Sequence, residues 1–238
     1  QLLEMLCCRP FLRYNGLSEI IMIEKLKEIV RHRELIIILV SRELKARYRG
    51  TVLGFFWSLF NPLLLMIVYT VVFGFIVGGA RVSGFENDKW MYALFLFNGI
   101  LPWTWFSSSA VESANVLMTQ GNLIKKVLFP AEILPVVVVT SNFINFLYAL
   151  PILVAAKAAI SLLVAKAPGF SLYLLQLPLV ILVQFILSLG FGFLLAALTV
   201  HFRDIKDILG NLLTFWCFAT PIVYTRQLAA DSPFLRTV

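Results

Sequence analysis

The chain has 238 residues, of which 60% are hydrophobic and 14% charged, with a net charge of +7. A soluble domain carries about 25% charged residues, so this composition excludes a soluble globular protein, and 21 Phe exclude a disordered one. Three cysteines (Cys7, Cys8, Cys217) and two histidines (His32, His201) supply neither a disulfide framework nor a metal-ligand set, and a membrane protein remains.

Residues 1 to 21 are read as an uninformative extension upstream of the better-organised segment that Met22 opens. From Ile23 to Arg49 apolar residues recur at helical spacing (Ile23, Leu26, Ile29, Val30, Ile37, Val40, Leu44, Tyr48), with Lys25, Glu28, Arg31, His32, Arg42, Glu43 and Lys45 between them. The pattern predicts an amphipathic helix in the inner membrane interface, making residues 22 to 49 a cytoplasmic interface segment.

Residues 50 to 238 read as the transmembrane domain. No Asp, Glu, Lys or Arg occurs between Gly50 and Ala80, and about 20 apolar residues cross ~30 Å of hydrocarbon as a helix. The first span is placed at 52 to 77, and further spans at about 90 to 113, 133 to 156, 172 to 200 and 208 to 224. Short alternating segments, which a membrane barrel needs, are missing. The fold class is therefore all-α, a polytopic helical membrane protein with at least five transmembrane helices. Pro102, Pro135, Pro151 and Pro178 are expected to bend or end helices locally.

Charge orients the spans. Ten of the 20 Lys and Arg precede the first span, and cations beside a span are held on the cytoplasmic side. With the amino terminus inside, 14 of the 20 fall on inner segments, Lys125, Lys126, Arg203 and Lys206 among them. Anionic headgroups account for these cations, so no nucleic-acid partner is expected.

The chemistry is mostly an absence. No phosphate-binding loop occurs, because no Gly is followed by Lys, and no Ser, His and Asp set is spaced for nucleophilic catalysis. Within the spans Glu112 is the single carboxylate, at the inner end of the second one, and a proton relay needs more. Its expected role is an interfacial or helix-packing one, with a substrate contact as the alternative.

Arg47-Tyr48-Arg49-Gly50-Thr51-Val52-Leu53-Gly54, with Phe56-Trp57-Ser58-Leu59 and Asn61-Pro62 after it, opens a pattern. Lys125-Lys126-Val127-Leu128-Phe129-Pro130 with Leu134-Pro135 continues it, and Phe202-Arg203-Asp204-Ile205 with Thr220-Pro221-Ile222-Val223-Tyr224 completes it. The chain from Met22 to Tyr224 resembles the permease subunit of polysaccharide-exporting ATP-binding-cassette transporters of the type-2 exporter class. The resemblance implies a homodimer in the cell inner membrane, bound to two copies of a cytoplasmic ATPase subunit that holds ATP and magnesium, while this chain binds no cofactor and is no enzyme. It implies export of a polyprenyl-linked glycan, O antigen first, with teichoic acid, capsule or a smaller lipid or drug as alternatives. It also implies a sixth span beyond Val238. A membrane-embedded sugar transferase is the competing reading and would have to use Glu112, Glu132, Asp204 or Asp207, which form no convincing pair.

A glycan crossing lipid needs a lined channel with aromatic faces for sugar C–H surfaces and hydroxyls for hydrogen bonds. Candidate channel residues are Trp103, Trp105, Phe106, Ser107, Ser108, Ser109 and Ser113 in the second span, with Phe215 and Trp216 in the fifth. The inner loop at 114 to 132 is where the resemblance implies ATPase coupling, through Asn115, Thr119, Gln120, Asn122, Lys125 and Lys126. Arg203 and Asp204 are expected to form structural ion pairs at a span end.

Overall fold

The structure, a computed structural model, describes residue 27 and residues 31–51, 54–72, 89–120, 131–163, 175–202 and 204–222. Among these, every regular element is helical. Six α-helices follow in order: α1 Arg33–Tyr48, α2 Trp57–Tyr69, α3 Lys89–Thr119, α4 Ile133–Leu163, α5 Leu177–His201 and α6 Ile205–Ala219. A short 3-10 turn, Gly54–Phe56, leads into α2.

The two glycines of the motif at 47 to 54 have a geometric reason. Gly50 has φ 78° and Gly54 φ 49°, left-handed backbone that residues with a Cβ avoid. Gly50 ends α1 one residue after its cap at Arg49, and Gly54 starts the turn into α2. The two glycines therefore stand at the end of α1 and at the start of the turn into α2.

α3 is the hub, packing on α2, α4, α5 and α6. It runs to Thr119, so Asn115 and Thr119 belong to its last turns, where the sequence reading began a loop. The 31 residues of α4 likewise run past 156 to Leu163. Pro135 and Pro178 sit in first helical turns, where a missing N–H costs nothing, whereas Pro102 and Pro151 lie inside helices that continue through them.

Two described helices are long and apolar enough to cross a membrane by themselves, α4 over Ile133–Ala159 and α5 over Leu177–His201. α3 has the length, but Ser107, Ser108, Ser109 and Glu112 make it more polar. α2 contributes a shorter apolar stretch, Phe60–Val72. α6, at 15 residues, ends before Pro221, short of the expected limit at 224.

α1 is not apolar on one side only. Leu39 and Val40 pack with Ile133 and Val137 of α4, supported by Leu35, Ile36 and Leu44, while Ile37 and Ile38 are exposed. The helix climbs along the first third of α4 and brings Arg47 beside Asn142. The contact of α3 with α5 uses small residues: a Cβ on Gly192 would come within 3.0 Å of Ser113 Oγ and 3.3 Å of Val139 Cγ2. Small residues let helix backbones approach where lipid offers no hydrophobic driving force.

Candidate functional site

One stripe of α3 faces open space. Ile100, Thr104, Ser108 and Glu112 recur every four residues and so lie one above another on the helix. The first three are shared by two adjoining cavities. One, of about 370 Å³, lies towards α2 and α4 and is lined further by Arg47, Trp57, Asn61, Trp105, Asn142 and Asn145. The other, of about 400 Å³, lies towards α6, with Tyr69, Trp103, Ser107, Glu112, Thr214 and Phe218 in its wall. Together they form a groove with aromatic faces, hydroxyls and amides along α3.

At the Glu112 end of the stripe stands a polar junction. Arg47 Nη2 donates to Glu112 Oε2 at 2.8 Å, and Asn142 Nδ2 donates to the same oxygen at 2.8 Å. Arg47 Nη1 donates to Asn142 Oδ1 at 3.0 Å, which closes the ring. Each bond to the carboxylate is charge-assisted and stronger than a neutral one. Asn142 is buried, whereas Arg47 and Glu112 are partly open to the groove. The expectation that Glu112 packs helices thus gains two named partners, from α1 and from α4.

Arg47 and Asn142 were not picked out from sequence as site residues. Arg47 was visible only as the first letter of a motif, and its partners lie 65 and 95 positions away. A lone carboxylate in a span does signal that a partner exists. No local spacing says which one.

The candidate channel residues divide into groups. Ser107 and Ser108 line the groove, as does Trp103. Trp103, Phe106 and Trp216 come together with Phe191 into one aromatic cluster, centroids 5.4–6.2 Å apart. This cluster borders a third cavity, about 460 Å³, between α3, α5 and α6. Trp105 stacks on Phe146 at 4.9 Å and lies against Phe143 and Phe185, tying α3 to α4 and α5. Ser109 and Ser113 are wholly buried, with hydroxyls that find no partner among the described residues, as at tightly packed helix contacts. Phe215 is exposed at 72% on the outer face of α6.

The coupling candidates are only partly described. Asn115 Nδ2 donates to Val111 O at 3.0 Å, and Thr119 Oγ1 donates to Asn115 O at 3.1 Å, so both side chains bond back onto their own helix in the last turns of α3. Gln120 follows as a turn residue. Asn122, Lys125 and Lys126 lie outside the described residues, as does Arg203. Asp204 is the N-cap of α6 and Asp207 is in its first turn, where the helix dipole favours negative charge. No group of three or more metal-ligating side chains occurs among the described residues.

Comparison with known proteins accounts for this architecture. Residues 34–238 match the ABC-2 type transporter membrane family. The chain is 40% identical over 210 residues to the O-antigen export system permease protein RfbA of Myxococcus xanthus, covering 88% of this chain and 75% of that protein. It is 32% identical over 200 residues to a protein of the same name from Klebsiella pneumoniae, covering 83% and 71%. Motif order, helical membrane architecture and family match agree, and the chain belongs to the ABC-2 type transporter family.

Proposed function

We propose that the chain is the channel-forming permease subunit of an ATP-driven exporter that carries a lipid-linked polysaccharide, O antigen first, from the cytoplasmic to the outer face of the inner membrane. The observation that carries this reading is the relatives named O-antigen export permeases, similar over more than four fifths of the chain. The groove along α3 suits the cargo. Sugar C–H faces stack on Trp103 and Trp57, while Thr104, Ser107, Ser108 and the amides of Asn61 and Asn145 offer hydrogen bonds. The polyprenyl anchor stays in lipid at the side.

The groove is open along its length, and a second copy of the chain would close it into a conduit. Energy comes from an ATPase partner in two copies, which binds ATP and magnesium, because this sequence has no phosphate-binding loop. Asn115, Thr119, Gln120, Asn122, Lys125 and Lys126 form the docking edge for that partner, with the amino terminus on the same cytoplasmic side. Arg203 and Asp204 hold the ends of α5 and α6 together.

The test is purification from the source membrane in mild detergent, with mass spectrometry of what accompanies the chain. A stoichiometric ATPase whose turnover rises with a polyprenyl-linked glycan is the expected result. Isolation without an ATPase even after crosslinking overturns the reading, and stimulation by another lipid or polymer alone reassigns the cargo.

A further inference from the structure

We propose that the ring of Arg47, Glu112 and Asn142 is the mechanical link through which α1 moves the groove wall on α3, with Arg47 and Glu112 acting as positioning residues for transport. The proposal rests on reading the chain as an ATP-driven permease.

The attachments of α1 differ in kind. Its apolar side lies on α4 through Leu39 and Val40 against Ile133 and Val137. Such contacts resist separation but have no preferred direction, so they permit sliding. At the end of α1 and the start of the turn into α2, Gly50 and Gly54 have left-handed backbone, and no side chain packs within 4 Å of where a Cβ would stand at either. The charged ring is directional, holding three groups from three helices at 2.8–3.0 Å.

Glu112 is placed where a pull has an effect. It stands four residues from Ser108 on the stripe that both cavities share. A shift of α1 transmitted through Arg47 therefore moves the groove wall itself. Stability alone does not account for the pair, because Arg47 and Glu112 are 28% and 37% exposed and open pairs stabilise little. A link that must hold direction and still release has use for charge.

The experiment uses the full chain with the ATPase that accompanies it. Export is read as surface polysaccharide on intact cells by periodate–hydrazide labelling. ATP hydrolysis is read on complexes in phosphatidylethanolamine–phosphatidylglycerol nanodiscs, and both are normalised to assembled complex. Glu112→Gln should keep hydrolysis within about twofold while export per ATP falls about tenfold, the size of an ordinary coupling free energy. Arg47→Lys, which keeps the charge but not the planar fork, should lower export per ATP about threefold. The charge-exchanged R47E/E112R double variant should recover part of the loss. An unchanged ratio of export to hydrolysis in both single variants overturns the proposal, and so does failure of both to assemble, which assigns the ring to folding. Absence of any ATPase beside the wild-type chain overturns the permease reading first, a result distinguishable because it needs no variant.

Discussion

α4 and α5 are both long apolar helices, with mean hydropathies of 1.8 and 2.5 over their spans, yet 61% of the α4 window is buried in the protein and 22% of the α5 window. The difference lies in the neighbours: α4 packs on α1, α2, α3 and α5, whereas α5 packs on α3, α4 and, at its end, α6. α4 carries Ser141, Asn142 and Asn145, and the first two are buried on the side turned towards its neighbours. α5 turns Leu179, Val180, Leu182, Val183 and Ile186 outwards, and its buried positions are small: Ser188, Gly192, Ala196, Thr199. The outward face of α5 is apolar, and small residues mark the side on which it meets protein.

Four substitutions would break or sharpen that contrast. The largest effect is expected from Val139→Asp on α4, where the side chain is wholly buried. An unpaired carboxylate there should cost about 3–5 kcal/mol, read as loss of the monodisperse peak after mild extraction. Gly192→Leu should cost about 1–3 kcal/mol by overpacking, since even a Cβ would come within 3.0 Å of Ser113. A lower melting temperature of the detergent-solubilised protein would register it, and an unchanged one would mean that α3 and α5 are not held at this distance.

Gly50→Ala is a smaller change. Open space surrounds the position, so only the left-handed backbone at φ 78° is penalised, by roughly 1–2 kcal/mol, on the same thermal measurement. Val183→Ala on the exposed face of α5 should shift stability by less than about 0.5 kcal/mol. A large loss there would show that a second protein surface, and not lipid, covers α5.

Much of the fold was readable without coordinates. Long uncharged runs are expected to be helical at 133 to 156 and 172 to 200, and the helices there are Ile133–Leu163 and Leu177–His201. Helix ends were less legible. α3 runs through Asn115 to Thr119, whose side chains find acceptors on the helix itself, whereas composition reads these polar residues as loop. The candidate channel residues were chosen by type, and type does not say which way a side chain points. Ser108 faces the groove while its neighbour Ser109 is wholly buried, a turn of about 100° at one step.

The sequence by itself determined that this is a helical membrane protein of the type-2 exporter class, since hydropathy, charge asymmetry and motif order are properties of the linear chain. Only the tertiary structure decided that Arg47, Glu112 and Asn142 form one ring. Which polar groups meet depends on where the packing of α1, α3 and α4 puts them. Partners 65 and 95 residues apart leave no period in the sequence to reveal them.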